Sequence, residues 1–402
     1  MTLLVKAKMK NNPFDPPVPR GSQKADRGAP EATLAGLRDQ IDGIDRRIVG
    51  LLQDRQTVVE KVVALKKAAH LPVYHPAREE NLISDLRAQA VAHGLDADFV
   101  EELYRRIIRQ SRVAQAARLS RRGVRPGARI LVVGGGGSMG RYFVRWFGDA
   151  GYRVSTLERN DWAAAAERCR EVDLVLLCVP IDVTGTVARQ LGPYLPPKCV
   201  LADITSLKTD PLQAMLAAHR GPVLGLHPLF GPTTSSMDKQ IVVVTPGRMD
   251  DACQWVLDQF AAWGSVVVHA TPAEHDQIMG FVQALRHFAT FAFGQFLCRK
   301  NASLNRSLEF SSPIYRLELG MVGRLFAQEA ELYAEIIFAT PQRREMLKDY
   351  IVSLSSNLEM LEKGDKNKFC EEFRRVSEWF GPFGEQAIRE SSYLIDKLIE
   401  RF

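Results

Sequence analysis

The stretch "RILVVGGGGSMG", Arg129–Gly140, decides the fold. Ile130–Val133 is a continuous apolar run, as in a strand buried on both faces. A glycine-rich turn ends it and opens a helix. Gly135, Gly137 and Gly140 fit G-x-G-x-x-G, with Ser138 and Met139 between the last two. Such glycines permit a tight turn and let a pyrophosphate approach the helix N-terminus. A glycine triplet alone is weak, but here a strand precedes it and a helix follows. The next strand-like run, "YRVSTLE", ends on Glu158. An acid there accepts both ribose hydroxyls and repels a 2′-phosphate, which predicts NAD over NADP. Arg159 next door tempers that preference. The alternative is a glycine turn in a nucleotide-free α/β domain.

Downstream, "VDLVLLCVP", "CVLADIT", "GPVLGLH", "QIVVVTP" and "SVVVHA" alternate with helical segments, the pattern of a parallel α/β sheet. Beyond Pro272 no strand signal appears, and helices are expected to the C-terminus. Upstream, a helical period runs from about Ala32 to Ala69. Leu34, Leu37, Ile41, Ile44, Ile48, Leu51, Val58, Val62 and Leu65 form a seam with alternating spacings of three and four. Arg55 is the one charge in it. Pro72 and Pro76 break this helix, a second runs to about His93, and Gly94 with Asp96 predicts a stop and a new cap for a third, to about Leu119. Three helices cannot bury so long a seam alone, which predicts a dimer sharing the first. The expected organisation is a disordered leader over 1–31, a helical domain over 32–120 and a basic linker over 121–128. A Rossmann-type dinucleotide-binding domain over 129–272 and a helical domain over 273–402 follow.

The 402 residues, 46% of them hydrophobic, suffice for several cores. No apolar run reaches membrane-span length. The net charge of +6 is mostly the leader's, through Lys6, Lys8, Lys10, Arg20, Lys24 and Arg27. It is therefore a poor argument for nucleic acid. The arginines of the third helix (105, 106, 109 and 112) lack any accompanying recognition motif. The six cysteines show no CxxC spacing, so neither zinc nor disulfides are implied and a reduced, cytoplasmic setting is expected.

In open parallel sheets ligands gather beyond the C-terminal strand ends. Those ends here carry Cys178, the run Asp203–Lys208 and His227. A histidine near a nicotinamide suits taking a hydroxyl proton as hydride leaves; the plainer alternative is a strand-end histidine bonding backbone. Arg316 and Arg324, two turns apart among apolar residues, suit carboxylate recognition.

"LRDQIDGIDRRIVGLL", "GGGGSMGR", "LGLHPLFGP", "QALRHFATFAFG" and "SSPIYRLELGMVGRLFAQ" together resemble the bifunctional chorismate mutase–prephenate dehydrogenases of bacterial tyrosine biosynthesis. The resemblance covers about Thr33 to the C-terminus. It implies a helical mutase domain, a Rossmann-type NAD domain and a helical dimerisation domain. In the mutase, it implies that Arg38, Arg55 and Arg78 hold the carboxylates of chorismate, with Arg38 reaching in from the other protomer. Lys66 and Gln115 would bond the ether oxygen, Glu79 the ring hydroxyl, and Ser111 completes the pattern. A pericyclic rearrangement needs no nucleophile, only a held conformer and stabilised charge. Leu103, Ile107, Ser111 and Gln115 step by four, so two polar residues continue an apolar stripe. An ordinary helix end turning polar is the alternative.

In the dehydrogenase, the resemblance implies His227 at the 4-hydroxyl of prephenate and Arg324 at the ring carboxylate. Arg316, Lys208, Ser206 and His275 are secondary candidates. Cys178 departs from a serine frequent in the family and is left outside the site. Feedback inhibition by L-tyrosine is also implied. Two rivals stay open: a dimerisation-only role for the N-terminal helices, and arogenate as the substrate oxidised.

Overall fold

The computed structural model describes residues 28–68, 76–119, 123–248 and 250–399. Helix α1 (Gly28–Ala68) begins inside the expected leader, whose residues 1–27 lie outside the described ones. It is one compact unit, and everything from Ala69 onward is the other. The α1 seam is apolar but uncovered, with Leu51 65% exposed. Arg55 in that seam is half-buried and not unpartnered.

The second unit opens with α2 (Pro76–Ala92) and α3 (Ala97–Leu119), packed on each other. Gly94 takes a left-handed φ of +68° between them, and Asp96 Oδ1 accepts the amides of Asp98 and Phe99 at 2.8 and 2.9 Å. The expected stop and cap are therefore both present.

The sheet comprises β1 (Arg129–Val133), β2 (Arg153–Leu157), β3 (Leu174–Leu177), β4 (Val200–Asp203), β5 (Val223–Pro228), β6 (Ile241–Arg248) and β7 (Val266–His269). Its order is β2-β1-β3-β4-β5-β6-β7. Helices α4 (Ser138–Asp149), α5 (Ala165–Cys169), α6 (Ile181–Leu191), α7 (Thr209–Ala218) and α8 (Asp250–Ala262) cover it. Alternate strand residues face opposite layers. Ile130 and Val132 pack with Phe143, Phe147, Phe260 and Trp263, while Leu131 and Val133 pack with Leu191 and Met215. All seven expected strands form, but the sheet is mixed: β6 runs antiparallel to β5, and β7 parallel to β6. The β5–β6 connection, residues 229–240, carries no helix, and a parallel crossover needs one or an equally long link.

Helices α9 (Pro272–Met279), α10 (Arg286–Arg299), α11 (Leu304–Glu309), α12 (Pro313–Phe326), α13 (Ala330–Phe338), α14 (Pro341–Glu362), α15 (Lys366–Phe380) and α16 (Pro382–Ile399) complete the chain. Thr271 and Glu274 form a reciprocal capping box at the start of α9. A π-helical turn, Gly280–Leu285, interrupts the apolar pattern between α9 and α10. Two carboxylates dock the helices on the sheet layers. Glu335 of α13 accepts the amide of Ile181 at the start of α6, and Asp276 of α9 accepts those of Lys208 and Thr209 at the start of α7. Each anion meets the positive end of a helix. Among the described residues no helix is long and apolar enough to cross a membrane, and all six cysteines are unpaired.

Candidate active site

The glycine turn is dictated by packing. Gly134 has a φ of +78°, and a Cβ there would lie 2.5 Å from the carbonyl oxygen of Cys178. A Cβ on Gly140 would sit 2.1 Å from the Gly134 carbonyl, and one on Gly135 would sit 2.3 Å from the Thr156 side chain. The left-handed position is thus Gly134, one residue before the fingerprint read from spacing. Gly136, Gly137 and Ser138 are exposed, while Met139 packs on the core. Gly137 caps α4 without any side-chain bond, leaving the first amides of that helix for an anion. Glu158 Oε1 accepts the Gly136 amide at 2.7 Å, so its carboxylate stands at the lip of the turn. This cradle fits a dinucleotide, pyrophosphate on α4 and a ribose at Glu158.

At the end of β5, on the same side of the sheet, His227 is buried (3% exposed) at the head of a hydrogen-bonded chain. His227 Nδ1 lies 2.8 Å from His275 Nε2, and His275 Nδ1 lies 2.8 Å from Asp276 Oδ1. The carboxylate can only accept, so a proton of His275 sits on Nδ1, and in its neutral form Nε2 is an acceptor. Opposite a neutral His275, His227 donates from Nδ1 and carries its lone pair on Nε2. Gln283 Nε2, on the π-helical turn, reaches that lone pair at 3.2 Å, while Gln283 Oε1 is buried without a partner among the described residues. Burial alone would raise the Asp276 pKa. Hydrogen bonds from His275 and from the Thr209 and Lys208 amides outweigh it and bring the carboxyl to about 2. Burial, with His275, Lys208 and Arg343 adding to it, pushes His227 well below the usual imidazole range.

The other dehydrogenase candidates divide. Lys208 is fully buried, its Nζ 2.5 Å from Asp203. Burial lowers its pKa and Asp203 opposes that shift. It faces inward as an ion pair. Ser206 is half-buried in the loop after β4. Arg316 is half-buried and donates to the Leu308 carbonyl at 2.6 Å. Arg324 is exposed on α12, which packs on α10 and α16. The described contacts do not bring either arginine into the His227 cluster. Cys178 is a poor donor or nucleophile, since burial drives its thiol pKa far up.

Of the mutase candidates, Arg38 and Arg55 stand on α1, with Arg38 exposed. Lys66 and Gln115 lie on α1 and α3, but their side chains fall outside the described residues. Arg78 is exposed on α2, and Ser111 is buried on α3 with its hydroxyl donated to the Ile107 carbonyl. Glu79 is held by Arg112 at 2.5 Å and by Lys239 at 3.4 Å. Arg112 also forks onto Asp238 at 2.9 and 3.1 Å, tying α3 to the turn before β6. Arg105 and Arg106 pair with glutamates, so the basic face of α3 is largely neutralised.

Sequence reading missed Asp276, Gln283, Arg343, Arg112 and Gly134. The acid directly after His275, near a capped helix start, was a usable signal for the first. Gly134 stood in the glycine run but outside the G-x-G-x-x-G register, and nothing local marked the others.

Residues 37–116 match the type II chorismate mutase family, 153–269 the prephenate dehydrogenase nucleotide-binding domain, and 271–375 the prephenate dehydrogenase dimerization domain. The T-protein of Enterobacter agglomerans is 44% identical over 90% of this chain and 97% of its own length. That of Haemophilus influenzae is 39% identical over the same shares. This chain belongs to the T-protein family. It joins a chorismate mutase to an NAD-dependent prephenate dehydrogenase, the two activities of that family in tyrosine biosynthesis. In fold, it is similar to a prephenate dehydrogenase from A. aeolicus solved with hydroxyphenyl propionate and NAD+. The TM-score is 0.51 at 18% identity, over 63% of this chain and 97% of that one.

Proposed function

We propose that His227 is the proton acceptor of the dehydrogenase and that the Asp276–His275 pair sets its tautomer. The run of contacts from Asp276 through His275 to His227 Nδ1, which leaves Nε2 for a substrate, is the observation that supports the reading. When bound, NAD supplies the hydride acceptor as the ring carboxylate leaves as carbon dioxide. His227 Nε2 meets the 4-hydroxyl of prephenate and draws its proton, with the Gln283 amide giving way. The imidazolium that results is stabilised through His275 by Asp276. Glu158 holds the adenosine ribose and the Gly135–Gly140 turn the pyrophosphate. Arg324, with Arg316, anchors carboxylate.

In the mutase, the family resemblance assigns Arg38, Arg55, Lys66, Arg78 and Gln115, with Ser111 and Glu79, to holding chorismate in its reactive conformer. A homodimer is supported by the uncovered α1 seam and by exposed Phe310, Phe338, Phe373 and Trp379, the last 80% exposed. The unpaired cysteines favour a cytoplasmic setting. L-tyrosine, which resembles the product, would compete at the dehydrogenase site.

The test supplies chorismate with and without NAD and follows chorismate, prephenate, 4-hydroxyphenylpyruvate and NADH together. Prephenate should accumulate without NAD and be consumed with it. Chorismate left intact in both arms would reduce the N-terminal helices to a dimerisation module. Arogenate competing better than prephenate would change the substrate.

A further inference from the structure

Arg343 lies in the first turn of α14 behind the Thr340 cap and is only 3% exposed. Its Nη1 donates to the Ile336 carbonyl at 2.5 Å, but Nε and Nη2 have no hydrogen-bond partner among the described residues. No carboxylate pairs with it there either. An arginine stays charged when buried, so open guanidinium nitrogens in the interior are costly unless an anion comes to them. Its charge is felt at His227, and Asp276 acts back on it. Helix α14 packs against the π-helical turn that carries Gln283. Prephenate has its 4-hydroxyl at one end of the ring and both carboxylates at the other. A carboxylate receptor therefore belongs within electrostatic reach of the base but out of contact with it. Arg343 stands in that relation to His227.

We propose that Arg343 holds a carboxylate of prephenate through its Nε and Nη2 edge, as a substrate-binding residue of the dehydrogenase site distinct from Arg324. The inference rests on His227 being the group at the 4-hydroxyl. Substrate binding would complete the hydrogen bonding of a guanidinium that the chain leaves half-satisfied. Burial does most to keep His227 unprotonated; the Arg343 charge adds to it, as do Lys208 before α7 and a proton on His275 of α9, and Asp276 opposes them.

The experiment compares wild type, Arg343→Gln and Arg343→Lys in the full chain, with prephenate and NAD. Arg343→Gln should raise the KM for prephenate about 10- to 100-fold, as expected for lost bonds to a charged group. The KM for NAD should hold. Removing the charge should also move the acid limb of kcat/KM to higher pH. Arg343→Lys keeps the charge but loses the fork, so the limb should stay while KM still rises. Inhibition by 4-hydroxyphenylpyruvate, which lacks the ring carboxylate, separates the two carboxylates. Weakened inhibition assigns the side-chain carboxylate, and unchanged inhibition the ring carboxylate. A lowered Tm with KM and acid limb unchanged in Arg343→Gln would overturn the proposal and leave a residue that merely ties α13 to α14. If Arg343→Gln does not fold, an unchanged KM in Arg343→Lys overturns it equally. Failure of the underlying reading looks different: His227→Asn would then leave kcat intact.

Discussion

His227 Nδ1 stands 2.8 Å from His275 Nε2, and His275 Nδ1 stands 2.8 Å from Asp276, an arrangement in which a neutral His275 leaves Nε2 of His227 to accept. Loss of a general base costs about 100- to 10,000-fold in rate. His227→Asn should therefore lose kcat on that scale. His275→Ala and Asp276→Asn should lose about 10- to 100-fold, as for removed supporting partners of an imidazole. Chorismate consumption, assayed on the same preparations, should persist. Full dehydrogenase activity in His275→Ala would disprove the relay.

The pH response follows from burial. His219, His227 and His287 are all held below the usual imidazole value of 6.5, mainly by burial, and His287 is brought to about 4. Each is neutral when folded but takes a proton when unfolded below about 6.5. Their contribution to stability is thus complete above that value and drains away as pH falls towards 4. Thermal midpoints should drop across this window, and His287→Gln should flatten the drop. Dehydrogenase kcat, which needs neutral His227, should hold to well below pH 6.5. A midpoint that rises on acidification would refute the assignment.

Cofactor choice is tested at Glu158. Glu158→Ala removes both the Gly136 contact and the proposed ribose acceptor. Loss of bonds to a charged acceptor is worth about 1.5–3 kcal/mol, so the KM for NAD should rise about 10- to 100-fold. Use of NADP should improve relative to NAD. Initial rates with the two dinucleotides suffice.

The Arg112 junction is a buried ion network, and removing one partner strands the others. Arg112→Ala should cost about 3 kcal/mol or more in urea unfolding. Arg112→Ala combined with Asp238→Ala should cost clearly less than the two added together. Strict additivity would mean the bridge carries no coupling.

Arg55→Ala should abolish chorismate rearrangement and spare prephenate oxidation. With glutamine rather than an acid at position 115, mutase activity should not require acidic pH. A steep loss between pH 6 and 8 would count against that role.

Most of the strands were legible because they are near-continuous apolar runs; β2, "RVSTL", was legible only from its place after the glycine turn and helix. Their directions were not. Val242–Val244 reads the same whichever way it runs, and only the helix-free link before it carries the sign. The π-helical turn was equally silent, since one inserted residue leaves "GFVQAL" as apolar as its neighbours. Arg343 sits in "TPQRREM", which has the look of an exposed helix start, and its burial arises from α13 and the π turn folding over it. His227 was legible because a strand end points at the ligand side. Its partner was only half so, because contact between residues 48 apart is written in topology rather than in local pattern.

Asp276 has one consequence for how this enzyme operates. The same carboxylate that fixes the histidine pair also accepts two amides at the start of α7, so docking of the helical domain and readiness of the base are a single event. Were the helices to lift from the sheet, His275 would leave with them and His227 would lose its tautomer. On the proposed role of His227, one carboxylate thereby ties the seating of a domain to the protonation pattern of its base.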